Sequence, residues 1–469
     1  MKFIPTGSTS GSLQFESDAV LKNSNVIFRE KGGKWRTVSD NTVATTLAYV
    51  SLENLKPGTQ YECFATSNKR NCYVPGNRYL PEKINYKKPG KNRSATLYFT
   101  TPAADFAPKT IYVSVTGDDQ APGTKAHPMR TISAAALKTV PGDTVIVRGG
   151  VYQESVLIPV SGAPGKPVTY CAAPGETVWL DGNNRQFCRG FAAFGKRHLR
   201  FDGFRIRMFG TALVNASGVY NFFHCRDIKV TRSFYDGRSP GYSPHILHAR
   251  FCRDILLKNC VAINCMGSIA IVDSSNINIE NNVLQMTNIW PLVVWGNQKN
   301  AVRFVNNIVS DNLRAKTHEP FLKMAALDNI VEADNIYFAR YPGAIRKAVG
   351  LHNNKKWTLD EFYRLKKKNG GSFYANPNFA AVPKLLTWKT PQERTADMKK
   401  GPAFGRVVNN YEFGRDPQNQ KRYRVWDFKD FFARPVRKNA GGKVIGLEPE
   451  AFRGFSELSK TDEKWYIFQ

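Results

Sequence analysis

The sequence predicts an all-β chain: a right-handed parallel β-helix preceded by a small β-sandwich. Three observations carry this. Residues 20–102 read as short β-rich runs separated by Gly/Pro turns. From Leu199 onward an apolar-x-apolar element recurs, with Asn or other polar residues just after it. The 469 residues are 42% hydrophobic and 22% charged, with 36 Gly, 30 Phe and 19 Tyr. That composition suits a folded chain and excludes disordered, collagen-like and coiled-coil readings. No run of about 18 apolar residues is present, so no membrane helix and no membrane partner are expected.

In the first unit, Val26-Ile27-Phe28 leads into the turn Lys31-Gly32-Gly33-Lys34 and then Trp35. Leu47-Ala48-Tyr49-Val50 and Ala95-Thr96-Leu97-Tyr98-Phe99 are further strands. The run Leu55-x-Pro57-Gly58-Thr59-x-Tyr61 resembles the fibronectin type III signature, whose Leu and Tyr pack around a corner between strands. The resemblance covers about 80 residues and implies a spacer or docking module. Residues 64–94 carry a basic insertion (Lys69, Arg70, Arg78, Lys83, Lys87, Lys88, Lys91 and Arg93), read as a solvated loop or as part of a substrate channel.

The repeat elements are Leu199-Arg200-Phe201, Ile228-Lys229-Val230, Ile255-Leu256-Leu257, Ile277-Asn278-Ile279, Val302-Arg303-Phe304 and, more loosely, Ile330. Their spacings of 29, 27, 22, 25 and 28 residues suit a coil of three short strands. Asn281-Asn282, Asn306-Asn307 and Asp334-Asn335 predict a turn ladder from coil to coil. The boundaries expected are 1–105 for the sandwich, 106–350 for the β-helix and 351–469 for a C-terminal cap and extension packing on it.

The run Tyr112-Val113-Ser114, Gly117-Asp118-Asp119, Pro122-Gly123-Thr124, Thr131-Ile132, Pro141-Gly142-Asp143-Thr144-Val145 and Gly149-Gly150-Val151-Tyr152 resembles the entrance of secreted β-helix carbohydrate-active enzymes. These are mostly polysaccharide lyases, with some glycoside hydrolases and epimerases. Trp357-Thr358-Leu359-Asp360-Glu361-Phe362 resembles the short helix after the last coils, and Ala375-Asn376-Pro377-Asn378-Phe379 the strand that follows it. The resemblance spans about residues 110–450. It implies the fold strongly and the reaction weakly, since one fold hosts several chemistries.

The charge narrows the partner. Lys+Arg number 67 against 38 Asp+Glu, a net +29 that attracts polyanions. The C-terminal stretch interleaves cations with Trp357, Tyr363, Trp388 and Trp426 but has no RNA-recognition or helix-turn-helix signature. Nucleic acid is therefore not expected, and an acidic polysaccharide is. A monomer, secreted or periplasmic, is expected, although the N-terminus carries no hydrophobic signal core. Cys63 with Cys72 and Cys171 with Cys188 are the candidate disulfides; the other four cysteines read as small apolar stacking residues.

Long turns precede His245-Ile246-Leu247-His248, Ser268-Ile269-Ala270-Ile271, Pro291-Leu292-Val293-Val294-Trp295 and Pro320-Phe321-Leu322-Lys323. Counting back from each repeat aligns Leu247, Ile269, Val294 and Leu322 as a core column. The period of two then puts His248, Ala270, Trp295 and Lys323 on the exposed face. The adjoining turns add Arg238, Tyr242, His245, Trp290, Arg314, Lys316, His318 and Glu319.

Degradation of an acidic polysaccharide by β-elimination is the reaction these residue types fit best. A uronate carboxylate is neutralised, a base removes the C5 proton and an acid assists the leaving oxygen. Lys323 or His248 would be the base, Tyr242 or His245 the acid, and Arg314 and Lys316 the carboxylate holders, with Trp290, Trp295 and Arg238 lining the groove and His318 beside them. A glycoside hydrolase is the alternative and needs two carboxyl groups, Glu319 with Asp236, Asp273 or Asp311. A non-catalytic carbohydrate-binding protein is the second alternative. No cofactor is certain. Calcium is an open option through Asp118-Asp119 or the Asn/Asp turns, with a simple turn the favoured reading of Asp118-Asp119.

Overall fold

The computed structural model describes residues 1–469 except 22–23, 40–44, 68–93, 184–186, 188, 211–217, 238–243, 266, 286, 288–289, 297, 312–319, 340–348, 352–354, 381–421, 425–426, 456–464 and 468–469. The basic insertion, Cys72, Cys188, Trp388 and Trp426 fall outside the described residues.

The N-terminal unit holds two antiparallel sheets. Lys2–Gly7, Ser10–Leu21 and Thr45–Leu52 form one; Arg36–Ser39, Ser24–Glu30, Gln60–Ser67 and Leu97–Thr100 form the other, in that spatial order. Leu13, Val26, Phe28, Val50, Leu55, Tyr61 and Phe99 fill the space between them. At the corner read from the sequence, Tyr61 is fully buried and its hydroxyl accepts the Lys56 amide at 2.9 Å. Cys63 is buried; the partners of the two candidate disulfides, Cys72 and Cys188, lie outside the described residues.

Beyond Thr110 the chain winds into coils of three strands, each strand adding to one of three nine-stranded sheets. Sheet I contains the recurring apolar element. Leu199, Ile228, Ile255, Ile277, Val302 and Ile330 stand in direct parallel register, the column anticipated from the repeat. Sheet II runs from Gly150–Tyr152 through Phe234–Asp236 to Phe373–Tyr374; sheet III runs from Val156–Leu157 through His245–Arg250 to Val349–Leu351 and Lys356–Trp357. Inward side chains stack coil on coil, as Tyr170 on Phe201 and Phe191 on Tyr220 with centroids 5.5 and 5.6 Å apart.

The corner from sheet I to sheet II needs a left-handed residue. Asn259, Asn281, Asn306 and Asp334 supply it, each with φ 56°. Asn and Asp tolerate this region better than other non-glycine residues. The next residue builds the predicted ladder. Asn282 donates to Asn307 at 3.0 Å and Asn307 to Asn335 at 3.1 Å, and all three are buried.

Among the described residues, two α-helices flank the coils. Helix α1, Ile132–Leu137, is capped by Thr131, and helix α2, Leu359–Lys366, by a Thr358/Glu361 capping box. The outward face of sheet II is apolar, with Phe234, Val261, Val283, Ile308 and Ile336 in register. The segment around Phe428, Phe431, Ile445 and Leu447 packs onto it. The sandwich meets the first coils through buried Lys196, whose Nζ donates to the Tyr49 carbonyl at 2.6 Å and to Ser51 Oγ at 2.8 Å. Arg197 pairs with Glu53 at 3.2 Å beside it.

Candidate active site

The strands that carry the predicted groove residues form sheet III. Its core column is Phe191, Tyr220, Leu247, Ile269, Leu292 and Leu322. Leu292, not Val294, stands between Ile269 and Leu322. One residue further along stand Ala192, Asn221, His248, Ala270, Val293 and Lys323. Trp295 therefore does not belong to the His248–Lys323 column. It pairs with Val272 in the parallel column Phe194, Phe223, Arg250, Val272 and Trp295. The cause is local. Seven residues separate His248 from Ile255 and Ala270 from Ile277, but nine separate Val293 from Val302, because the corner after Trp295 is two residues longer. A slip of two leaves side-chain parity intact, so Trp295 keeps its outward face and only its position shifts.

The expected exposure also needs correction. Asn221, His248, Ala270 and Val293 are buried, and Lys323 is half-buried. His248 and Lys323 are three coil steps apart, about 14 Å at the spacing of neighbouring strands. They cannot act on one bond. The outward face thus holds two separate clusters.

The first is His245, His248 and Asn221. The imidazole rings stand 6.4 Å apart, nearly parallel. His248 Nδ1 lies 3.1 Å from Asn221 Oδ1, which also accepts the Gly218 amide at 3.3 Å. An oxygen that accepts from that amide requires a proton on His248 Nδ1. A Cβ on Gly218 would lie 2.6 Å from the His248 amide nitrogen, and one on Gly267 2.7 Å from His245 Cε1, so Gly218 makes room for the His248 backbone and Gly267 for the His245 imidazole. Burial pushes His245 down to about 4. Burial, then His245, Arg250 and Arg189, push His248 down to about 3. Both rings are neutral at ordinary pH. Asn221 and Arg250 had no motif to mark them in the sequence; only the strand register brings them here, while Arg189 acts on His248 from outside the strands.

The second cluster is Lys323 with Trp290. The ammonium sits over the indole, 3.8 Å from the ring centroid. This cation–π contact joins residues of successive coils at the end of the column nearer solvent. Arg238, Tyr242, Arg314, Lys316, His318 and Glu319 lie outside the described residues.

A polar row runs along the ends of the sheet II strands. Asp181, Arg207 and Asp236 pair across successive coils, and Arg207 Nε donates to Asp181 at 2.7 Å. Asn264 donates to Asp236 at 3.0 Å and Gln285 to Asp311 at 3.3 Å. Among the described residues no group of three His, Cys, Asp or Glu converges as a metal site. Asp118-Asp119 does not fit calcium. Asp119 Oδ1 already accepts the Arg130 and Thr131 amides at 3.0 and 2.8 Å, and Asp118 accepts the Gln120 amide at 3.0 Å. That dipeptide braces the cap of α1.

With the coils and these clusters in place, comparison with known proteins places the central segment. Residues 111–268 match the family described as Pel9A-like, right handed beta helix region. The chain is 40% identical over 74 residues to YwoF of Bacillus subtilis (strain 168), covering 16% of each protein. It is 37% identical over 90 residues to pectate lyase PEL9 of Emericella nidulans, covering 19% of this chain and 21% of that one. The chain thus spans about a fifth or less of the length of these curated relatives. The crystal structure of pectate lyase Pel9A superposes over 73% of this chain and 96% of its own, with 14% identity and a TM-score of 0.33.

Proposed function

We propose that this protein degrades an acidic polysaccharide by β-elimination at a centre built around Lys323 and Trp290. The observation that carries the reading is the Lys323 ammonium held over the Trp290 indole at the half-buried end of an otherwise buried column. The indole gives an apolar surface beside which a sugar ring can lie, and the lysine over it is the base that meets the acidified C5 proton. The net charge of +29 supports a polyanionic substrate. The match of residues 111–268 and the similarity to a pectate lyase favour the lyase class. Lys323, acting as the neutral amine, takes the C5 proton as the C4–O bond breaks and the C4–C5 double bond forms, and the departing oxygen draws its proton from solvent; His245 and His248, neutral and buried, lie on the same face about three coil steps away.

A hydrolase reading is weaker among the described residues. Its expected carboxyl, Glu319, lies outside the described residues, and the candidate partners Asp236 and Asp311 are about three coil steps apart, roughly 14 Å, too far to form the pair with each other. The sandwich is read here as a fibronectin type III-like docking module, a reading its buried Tyr61 corner supports.

The test is a panel of polygalacturonate, alginate and sulfated glycans, following absorbance of unsaturated uronate together with reducing ends. A lyase raises both. Lys323→Ala is expected to lower turnover at least 100-fold while polymer binding stays within a few-fold. Reducing ends without absorbance would mean hydrolysis. Binding without either signal would leave a carbohydrate-binding protein.

A further inference from the structure

At the corner from sheet III to sheet I, Arg197, Arg226 and Arg253 pair directly across adjacent coils. Their side chains are 46%, 58% and 52% exposed. Two carboxylates answer these three guanidinium groups. Glu53 pairs with Arg197 at 3.2 Å, and Asp254 is shared by Arg226 and Arg253 at 3.2 and 3.3 Å. Beside the ladder His224 stacks on Phe251, with centroids 4.8 Å apart, and Arg250 lies over the same Phe251 ring at 4.9 Å. Phe251 is 43% exposed.

The backbone shows that Phe251 is not there for the turn. Five successive coils pass the corner with a left-handed residue: Gly195, His224, Phe251, Asp273 and Gly296. Glycine and aspartate suit that conformation. Histidine tolerates it as well, but Phe251 at φ 54° does not, and a bulky aromatic side chain there is a conformational outlier. The ring gains little burial in exchange. What it gains is a place on the surface, flanked by three unevenly neutralised arginines.

We infer that the Arg197–Arg226–Arg253 ladder with the His224–Phe251 stack is a second, non-catalytic binding strip for an anionic glycan, running along the helix axis past the coils that carry Asn221 and His248. Guanidinium forks take carboxylate or sulfate in bidentate fashion, and the exposed part of Phe251 adds an apolar rim against which a sugar ring can lie. Coils stack about 4.8 Å apart, on the scale of one pyranose ring, so successive arginines meet successive sugars. The inference rests on the acidic-glycan reading but not on the lyase chemistry.

The test uses the full chain and the variant Arg226→Ser/Phe251→Gly/Arg253→Ser. Glycine relieves the left-handed position, so the variant should melt no lower than the parent. Binding to polygalacturonate or alginate at low salt should weaken at least tenfold, with a shallower salt dependence and with cleavage of short oligosaccharides unchanged. Unaltered polymer binding, or a parent chain that binds no polyanionic glycan, would overturn the strip, as would a single-stranded oligonucleotide bound more tightly than either glycan through the same residues. Polymer binding that depends on the strip in a protein that cleaves nothing would keep the strip and remove the lyase reading.

Discussion

Burial holds His245 and His248 neutral, which fixes the direction of the pH response. Free in the unfolded chain, a histidine titrates near 6.5; in the fold these titrate at about 4 and about 3. Between those values and 6.5 the unfolded state binds protons that the folded state does not. Their contribution is complete above pH 6.5 and declines as pH falls, by up to about 1.4 kcal/mol per pH unit per ring. Urea titrations from pH 7 to 4.5 should show that slope, and His248→Gln should flatten it by about half. The same variant should keep most of its turnover if folded, unlike Lys323→Ala, because His248 stands about three coil steps from the reacting centre. Retained activity in Lys323→Ala with loss in His248→Gln would reverse the two roles.

The asparagine ladder shows what a turn element contributes. Asn307 donates to the Ile279 and Val305 carbonyls, each at 3.0 Å, and accepts from the Asn282 amide at 3.0 Å. Asn307→Ala would orphan several buried groups at once, at an expected cost of about 2–4 kcal/mol in chemical denaturation. A cost below 1 kcal/mol would mean that water replaces the amide. This ladder and the sheet I column were legible in the sequence because their residues recur beside the apolar element that sets the coil. The outward column of sheet III was only partly so. Corners of unequal length separate it from that element, and the longer one before Val302 moved Trp295 off the column and put Val293 in its place. Burial of His248 was illegible for a related reason: alternation assigns a side chain to a face, and says nothing of what else covers that face. Asn221 and Arg250 carry no motif, so only the register could place them near the imidazoles.

At the scale of the molecule, charge and covering decide behaviour. With a net +29, binding of an acidic polymer should weaken steeply between low salt and physiological ionic strength, which titrations at several salt concentrations would show. The C-terminal segment lies across five coils of sheet II, with Phe431 fully buried among Phe234 and its neighbours. Asn259 meets Glu448, and Asn281 meets the carbonyls of Val444 and Gly446. Phe431→Ala should cost roughly 3–5 kcal/mol. A stack of coils by itself couples only nearest neighbours, and its ends can fray while the middle stands. A strap fastened to five coils ties their fates together. Pulled from its two ends, such a chain should bear load until the strap tears free and then surrender several coils in one event, where an unstrapped solenoid would peel a coil at a time.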